Sequence, residues 1–347
     1  MSAVVRWLLV LAIVAALAGS ALAAQPSPLR GVPLAGQTGL RLLVAADPPF
    51  LLDVDTGRVK PIAGVQVRDR PVLSVLAVGK DAVVWLARRA RGALRAEIYV
   101  VRRGATNATR LATAWDVASS ADGRAVWLKS FADARHCTLR ELGLDGRERR
   151  RARRVPCSTR LLGVGGGALL LQGSSVIDPR NGRTVSRSGG PWAVAGRFAL
   201  TGGSRGGLAL KDLSTGGRWQ LGWPSAVGGP TSQGGVDQAV VRADGRLVAV
   251  SFSDPAWQGG GSQVTDVWLL HPATRRFEHL PDMPAFVSLK FTSMSWTSDG
   301  QLVMLARTAQ HDLVAVWRPG QKRIEVRHVR LPDRNSGSDS FVVWSGG

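Results

Sequence analysis

Apolar residues recur along the chain in short runs, and the runs have the length and composition of strands. Examples are 82–87 (AVVWLA), 125–129 (AVWLK) and 247–252 (LVAVSF), which are rich in Val, Leu and Trp and are bounded by turn residues. After residue 24, no long apolar pattern with the 3.6-residue period of a helix is present in the sequence. The pattern therefore predicts an all-β protein made of many short strands.

Two kinds of glycine-containing turn alternate along the chain. The first kind precedes an apolar strand, and it occurs at 79–81, 121–124, 243–246 and 298–301, with weaker copies at 36–39, 165–167 and 195–197. The second kind follows one strand later, at 55–58, 103–104, 145–147, 180–183, 214–217, 273–275 and 319–321. Each set has seven members, spaced by about 30 to 55 residues, which indicates an internal structural repeat.

Each pair of turns divides its repeat into four antiparallel strands, because Asp-Gly and Asn-Gly supply the positive φ of tight hairpins. Seven such units predict a seven-bladed β-propeller that forms one domain over residues 36–347. The first unit, which starts at Leu40, lacks an innermost strand, and we expect residues 341–344 (FVVW) to complete it and close the ring. A stack of β-sandwich domains is the alternative, and it explains the alternation of turns less well.

The first 23 residues have the composition of an export signal. Arg6 precedes an apolar stretch over 7–18, and Ala21-Leu22-Ala23 is a small-x-small cleavage site. We predict a signal peptide over 1–23, a linker over 24–35 and a secreted, extracytoplasmic protein without a stable membrane span. Retention of the segment as an uncleaved anchor is the alternative. A lipoprotein is excluded, since neither cysteine lies near the cleavage site.

One segment resembles a known repeat. Trp296-Thr297-Ser298-Asp299-Gly300, followed by the apolar strand 302–306, resembles the WD40-like repeat of TolB-type propellers, whose signature is W-S-P-D-G before a strand. Residues 115–123 and 241–245 look like degenerate copies, and 52–58 is similar to the turn between the third and fourth strands. The signature proline is missing, the separate amino-terminal domain of TolB is absent, and TolB has six units. The resemblance therefore implies a fold and not TolB's role in envelope translocation.

The charge balance points to anionic partners. The chain of 347 residues has 45 basic and 25 acidic side chains, a formal net charge of +20, and 45% hydrophobic residues. That apolar content excludes a disordered chain. A basic surface attracts phosphate-bearing wall polymers, anionic lipid head groups or nucleic acid. Since we expect export, we predict a protein or a cell-envelope polymer as the partner, and no nucleic acid.

The two cysteines, Cys137 and Cys157, lie on either side of the Asp145-Gly146 turn, at the two ends of one predicted hairpin. An exported protein is expected to hold such a pair as a disulfide. Closing a loop of about 20 residues would contribute about 3 kcal/mol by constraining the unfolded chain. We predict a structural bridge, since a redox-active pair is more often Cys-x-x-Cys.

Six arginines occur within eight residues inside that loop. The blade count places this basic patch on an outermost strand, and its members are Arg147, Arg149, Arg150, Arg151, Arg153 and Arg154. Charge on an edge strand prevents pairing with other chains, which is the interpretation that we favour. The alternative is a binding patch for an anionic polymer or for lipid head groups.

We expect ligands on the face of the propeller that carries the longer connections, at 88–95, 130–136, 223–236, 253–263, 281–287 and 307–312. Trp223 and Trp257 belong to loops of neighbouring blades there, together with Asp254, Arg307 and His311. These five residues are the candidate ligand site, as a platform for a sugar, a peptide or an aromatic ligand. The alternative is that both tryptophans pack down between blades.

Catalytic, metal and cofactor motifs are not supported by the sequence. Residues 202–206 match G-x-S-x-G, but the nucleophile elbow needs a following helix and 207–213 is predicted as a strand. The five histidines lack a metal-ligand spacing, and no glycine-rich run ends in Lys-Ser or Lys-Thr. We therefore predict no catalytic residues, no metal and no cofactor.

These observations favour an exported, non-enzymatic propeller that acts as a binding or scaffold module for a protein or a cell-envelope ligand. The alternative is a glycan hydrolase or lyase, which needs two carboxyl groups close together. The long loops contain only scattered aspartates, at Asp133, Asp254, Asp282 and Asp312. A third possibility is a wall adhesin that works mainly through charge.

Overall fold

The computed structural model describes residues 27–345, apart from 66–71, 91–92, 134, 165–166, 174, 187–190, 204–206, 229–233, 255–261, 289–291, 308–311 and 333–339. The signal peptide predicted at 1–23 and Ser204 of the G-x-S-x-G sequence lie outside these residues. The described part of the chain is built from strands, and it contains no helix that is long and apolar enough to cross a membrane.

The chain enters a ring of sheets after two short strands, β1 (Ser27–Pro28) and β2 (Val32–Pro33). Blade 1 then takes three strands from this end of the chain, which are β3 (Arg41–Val44), β4 (Phe50–Asp53) and β5 (Val59–Pro61). Blade 2 is a complete antiparallel meander in which chain order is also sheet order. Its strands are β6 (Val72–Val78), β7 (Asp81–Ala90), β8 (Ala93–Val101) and β9 (Ala108–Ala114).

Blades 3, 4 and 5 repeat the same four-stranded meander. Blade 3 comprises β10 (Asp116–Ser119), β11 (Ala125–Phe131), β12 (His136–Gly143) and β13 (Glu148–Pro156). Blade 4 comprises β14 (Arg160–Val164), β15 (Gly167–Gln172), β16 (Ser175–Ile177) and β17 (Thr184–Ser186). Blade 5 comprises β18 (Ala193–Ala195), β19 (Phe198–Gly202), β20 (Leu208–Asp212) and β21 (Arg218–Leu221).

Blades 6 and 7 carry additional strands. Blade 6 comprises β22 (Gly235–Val241), β23 (Val248–Asp254), β24 (Ser262–His271) and an outer strand in two pieces, β25 (Arg276–His279) and β26 (Ala285–Ser288). Blade 7 comprises β27 (Thr292–Trp296), β28 (Leu302–Arg307), β29 (Asp312–Trp317) and β30 (Glu325–Val329). The last strand, β31 (Phe341–Trp344), returns to blade 1.

The ring is closed by pairing between the two ends of the domain. β31 lies antiparallel to β3, with Arg41 opposite Trp344 and Val44 opposite Phe341. Phe341, Val342 and Trp344 are all buried, so the closing strand contributes to the core as well as to the sheet. The predicted seven-bladed β-propeller, its four-stranded units and its closure by 341–344 are confirmed.

The core lies between blades, because each sheet buries both faces against its neighbours. One cluster joins Leu42 and Leu52 of blade 1 to Val303 and Val316 of blade 7. Another joins blades 5 and 6 around Phe252, and partly buried aromatic residues fill its margin. Burial on two faces explains the near-continuous apolar runs of the central strands, such as β29, in which every residue is buried.

Both kinds of glycine turn open on one end of the ring, which we call the tight-turn face, and the other connections open on the long-loop face. Neighbouring turns on the tight-turn face are in backbone contact. A Cβ atom on Gly79, where φ is +60°, would lie 2.4 Å from the carbonyl oxygen of Gly123 in the next blade. Only glycine permits this approach, which explains the residue type at this turn.

The segment 24–35, expected to be a linker, carries β1 and β2 on the outside of the ring. β1 pairs in parallel with β26 of blade 6, and β2 pairs in parallel with β30 of blade 7. Leu29 and Leu34 are buried against these two blades. We call residues 27–34 the strap, since they cover the outer edges of the last two blades before the chain enters blade 1.

Candidate functional site

Recesses on the described surface occur on the tight-turn face, at the junctions between blades. Cavities of about 410 Å³, 460 Å³ and 540 Å³ lie at blades 1–2, 3–5 and 5–6. A further groove of about 720 Å³ lies between the turns of blades 2 and 3, and we call it the blade 2–3 groove. Its charged lining residues are Lys80, Asp81, Arg102, Asp122, Arg124, Asp145, Arg147 and Arg149.

Two arginines of the blade 2–3 groove are held in place by carboxylates. Arg102 Nη1 lies 2.7 Å from Oδ2 of Asp81, which is only 6% exposed, and Arg102 Nη2 donates to the carbonyl oxygen of Leu144 at 3.0 Å. Arg149 Nη1 donates to Asp122 Oδ2 at 2.6 Å. These contacts fix the guanidinium groups on both sides of the groove.

The carboxylate of Asp122 is also held by its own turn. Ser120 Oγ donates to Asp122 Oδ1 at 2.6 Å, and the backbone N–H of Arg124 donates to the same oxygen at 3.0 Å. The hydrogen bond from Ser120, together with those from Arg149 and the backbone of Arg124, outweighs the opposing effect of burial and lowers the pKa of Asp122 well below its usual range. The group therefore remains ionised and continues to orient Arg149.

Of the three other cations of the groove, two have no ion-pair partner among the described residues. Lys80 and Arg124 are exposed, and each directly follows one of the two glycines in contact, Gly79 and Gly123. Arg147 lies 3.8 Å from Asp145, with both side chains exposed to water. Five cations and three carboxylates line the groove, which leaves two positive charges.

Five of the six arginines of the predicted basic patch lie on β13, the outermost strand of blade 3, where the blade count places them, and Arg147 directly precedes this strand. Most of its arginines contact groups of the protein itself. Arg150 pairs with the buried Glu141 at 2.8 Å, Arg154 pairs with Asp133 at 2.6 Å, and Arg153 donates to the carbonyl oxygen of Pro179. Arg151 is exposed. The patch is therefore less available to a polyanion than its sequence suggests.

The pairing of β13 with β12 is irregular. The register shifts twice, between Leu139 and Glu141 and again between Glu141 and Leu142. β-bulges and charged side chains are both devices that prevent an edge strand from pairing with another chain. These shifts support the interpretation that the arginines protect this edge.

The predicted cysteine bridge is present, since Cys137 and Cys157 form a disulfide with their Cα atoms 4.9 Å apart. It joins the start of β12 to the residue that follows β13. The two register shifts lie between this bridge and the turn at the other end of the hairpin. The bridge therefore links β13, which carries the arginines, to β12, the neighbouring strand of the same blade.

The five predicted ligand residues are only partly described. Trp223 packs against Phe252, with ring centroids 4.8 Å apart, and its Nε1 donates to the carbonyl oxygen of Val227. Asp254 is 4% exposed at the end of β23. Trp257 and His311 lie outside the described residues, and Arg307 is the last residue of β28 with its side chain not described. The long-loop site stays a prediction, with Trp223 engaged in packing.

The scattered aspartates of the long loops are engaged by neighbouring groups. Asp133 accepts hydrogen bonds from the backbone of Arg135 and His136, and these bonds lower its pKa. Asp282 accepts from Arg323 Nε at 2.6 Å and from the backbone of Ile324. Asp312 accepts from the backbone of Leu331. Each of these three carboxylates therefore has a structural role in its loop.

Of the charged residues of the blade 2–3 groove, only Arg147 and Arg149 belong to a predicted site, the basic patch, and the others were not predicted. A usable signal was present, since Ala-Asp-Gly-Arg occurs twice, at 121–124 and 243–246, and Gly-Lys-Asp at 79–81 occupies the same place in its repeat. Equivalent positions in neighbouring repeats lie side by side in a ring. The periodicity therefore places Lys80 and Arg124 near each other, although they are 44 residues apart in sequence.

Known proteins provide a comparison at the level of the fold. No protein-family model matches the sequence, and no curated protein matches it. Similar solved structures include TolB from Acinetobacter baumannii, with 15% identity and a TM-score of 0.45 over 84% of this chain and 66% of that chain. A protein from Lactobacillus plantarum has 13% identity and a TM-score of 0.51 over 89% of this chain and 100% of that chain.

A further similar structure comes from a mechanistic study of two prolyl endopeptidases, with 12% identity and a TM-score of 0.53. The similarity covers 87% of this chain but 50% of that one, and the chain also spans less than two thirds of TolB. The chain is a seven-bladed β-propeller. At these identities the likeness concerns the fold alone, and propellers occur both in binding proteins and as parts of enzymes.

Proposed function

We propose that this propeller is an exported, non-enzymatic binding module, and that its tight-turn face binds an anionic ligand of the cell envelope or of a partner protein. The blade 2–3 groove carries the proposal, because it combines a recess of about 720 Å³ with an excess of two positive charges. Ion pairs hold two of its guanidinium groups in place before any ligand arrives. Preorganised donors lower the entropic cost of binding.

The proposal differs from simple attraction by a basic surface. A chain with a net charge of +20 binds polyanions weakly wherever arginines are exposed, and salt screens such binding over about 8 Å at physiological ionic strength. Most arginines of β13 already contact carboxylates or carbonyl groups of the protein. A groove with fixed donors should retain its ligand at a salt concentration that removes diffuse attraction.

The experiment is a binding screen of the mature chain against glycans and wall polymers, at low and at physiological salt. We expect binding that survives physiological salt and is weakened in Lys80→Ala/Arg124→Ala. Loss of all binding at physiological salt would instead favour the adhesin that works by charge. Binding that depends on Trp223 and is unaffected by the groove substitution would place the ligand on the long-loop face.

The non-enzymatic part of the proposal has its own readout. Ligands found in the screen are incubated with the protein and their products are separated by size. We expect every glycan to be recovered intact, since the described long-loop aspartates Asp133, Asp282 and Asp312 each hold a structural contact. Time-dependent shortening would establish the glycan hydrolase or lyase instead.

Export is tested by fractionation of the cells that produce the protein, followed by amino-terminal sequencing. We expect a mature chain that begins at Ala24 in the extracytoplasmic fraction. A full-length chain in the membrane fraction would show that the segment 1–23 is kept as an anchor.

A further inference from the structure

The two Ala-Asp-Gly-Arg turns provide an internal comparison between two places on the tight-turn face. In both turns the aspartate accepts the backbone N–H of the following arginine, Arg124 at 3.0 Å and Arg246 at 2.9 Å. The second partner of the aspartate differs. Asp122 holds Arg149 of the outermost strand of its blade, whereas Asp244 holds Arg242, which directly follows the inner strand of its blade. Identical turns therefore present their arginines to different surroundings.

In blade 3 the turn arginine faces other cations. The blade 2–3 groove takes Lys80 and Arg102 from blade 2, and Arg124, Arg147 and Arg149 from blade 3. In the cavity between blades 5 and 6, Arg246 is accompanied by Arg197, which pairs with the buried Asp212 at 3.2 Å. Both places take donors from two blades, but five cations converge in the blade 2–3 groove, whereas two arginines line the cavity between blades 5 and 6.

From this convergence we infer that the blade 2–3 groove binds a phosphate group. The inference rests on the proposed function and names the chemistry of its ligand. A phosphate monoester carries about −1.5 to −2 charges at neutral pH, which matches the two uncompensated positive charges of the groove, whereas one carboxylate carries −1. Two neighbouring phosphates of a polyphosphate chain together present a similar charge. Three acceptor oxygens suit donors that approach from two sides.

The lining divides into two roles. Arg102 and Arg149 are positioned by Asp81 and Asp122, so these carboxylates keep the guanidinium groups at the walls and compensate part of their charge. Lys80 and Arg124 are exposed and lack a close carboxylate among the residues that the structure describes, so their charges are available to a ligand. A lysine acts as a mobile point charge and an arginine as a planar fork, and both bind phosphate.

The test uses long-chain polyphosphate, measured by calorimetry at physiological salt. The variant Lys80→Ala/Arg124→Ala removes two exposed charges that share the groove. The matched control, Arg246→Ala/Lys322→Ala, also removes one lysine and one arginine, and both residues are exposed on other turns. We expect the affinity to fall about tenfold in the groove variant and less than about twofold in the control, since exposed ion pairs contribute modestly.

Equal weakening in the two double variants would overturn the inference, because overall charge alone would then explain binding. Polyglutamate of the same charge should bind more weakly than polyphosphate, and equal affinity would also overturn it. Competition by millimolar inorganic phosphate would identify a single phosphate group as the ligand. If inorganic phosphate does not compete but polyphosphate binding still depends on the groove, the ligand is a phosphate-bearing polymer.

Failure of this inference and failure of the proposed function give different results. If the screen finds a ligand without phosphate whose binding depends on Lys80 and Arg124, the binding module stands and the phosphate assignment is wrong. If no ligand in the screen depends on the groove, the proposed function fails as well. Thermal unfolding of both double variants confirms that each remains folded before binding is compared.

Discussion

Asp55 shows how one carboxylate can join distant parts of the ring. It accepts hydrogen bonds from the backbone of Thr38 and Gly39, at 2.8 Å and 2.6 Å, and from Arg327 Nη1 at 2.7 Å. Arg327 also donates to the carbonyl oxygens of Leu34 and Gly36. The end of the strap, the start of blade 1 and the outer strand of blade 7 therefore meet at this carboxylate.

This arrangement predicts a pH-dependent contribution to stability. Burial acts to raise the pKa of Asp55, but the hydrogen bonds from Thr38, Gly39 and Arg327 outweigh it and lower the pKa. A lowered pKa in the folded state stabilises the protein above the unfolded value of about 4. We expect Asp55→Asn to reduce the free energy of unfolding by about 1–2 kcal/mol at pH 7.

The difference between the wild type and Asp55→Asn should shrink as the pH falls from about 4 through the lowered pKa of the folded protein, because the carboxylate is protonated first in the unfolded chain and then in the folded protein. Urea unfolding at several pH values measures this difference. A difference that is the same at pH 7 and pH 3 would show that the ionised form is not what stabilises this junction. Glu148→Gln, at an exposed position on β13, is the matched control and should change stability little.

Residues whose role is set by the backbone were predictable, and residues whose role is set by a side-chain neighbour distant in sequence were not. The glycine turns follow from conformation, since positive φ occurs at Gly57, Gly123 and Gly245 as the hairpins require. The contacts of Trp223 and the pairing of Arg149 with Asp122 depend on which loops and turns lie side by side. Periodicity alone does not specify side-chain partners at that distance.

The strap was not predicted from the sequence as an ordered element. Two-residue strands carry almost no pattern, and Pro-rich, polar residues around them are typical of a linker. Its position is fixed instead by two leucines and by backbone pairing. Val32 N donates to the carbonyl oxygen of Ile324 at 2.8 Å, and Leu34 N donates to that of Val326 at 2.8 Å.

The docking of the strap is tested at two glycines. Both Gly31 and Gly36 have positive φ, at +50° and +68°, but their surroundings differ. A Cβ on Gly31 would lie 2.6 Å from the carbonyl oxygen of Ile324, while nothing lies within 4 Å of a Cβ on Gly36. We expect Gly36→Ala to cost about 1 kcal/mol for the backbone conformation, and Gly31→Ala to cost clearly more.

Chemical denaturation of the two glycine variants gives the comparison directly. The excess loss in Gly31→Ala over Gly36→Ala measures the contact between the strap and blade 7. Equal losses would mean that the strap moves away from the blade without a penalty, and that its pairing contributes little to stability.

The hairpin of blade 2 shows a second limit of the sequence at the scale of elements. Residues 88–95 are rich in arginine and were expected to form a loop, yet β7 and β8 continue to Ala90 and from Ala93, with Arg88 opposite Arg95. The expectation of a long loop at this position was wrong. Backbone pairing does not require apolar side chains, so the hydrophobic pattern underestimates strand length.

At the scale of the molecule, the number of blades and the closure were predictable because they follow from a repeat. Blade 1 takes only three strands from the start of the domain, and β31 at the end of the chain has no blade of its own. β31 therefore pairs with β3 and completes blade 1. The broken outer strand of blade 6 was not predictable, since it depends on how residues 280–284 cross toward blade 7.

Removal of the closing strand should open the ring. We expect a chain that ends at Ser340 to unfold at a markedly lower temperature or to aggregate, because it exposes the edge of β3 and loses the buried Phe341, Val342 and Trp344. A chain that ends at Ser345 keeps β31 and serves as the control. Equal melting temperatures for the two truncated chains would show that closure by β31 does not stabilise the ring.

The crossing of the two chain ends also determines when the protein can complete its folding. Leu34 meets Arg327, 293 positions later, and Val75 meets Ser340, 265 positions later. During synthesis the strap and the first blade emerge first. The strap and the edge of β3 that pairs with β31 have no partner until residues near the end of the chain have been made. Such long-range pairing folds slowly and leaves strand edges open to aggregation in the meantime. A holding chaperone would therefore be needed most for the earliest segments of the chain.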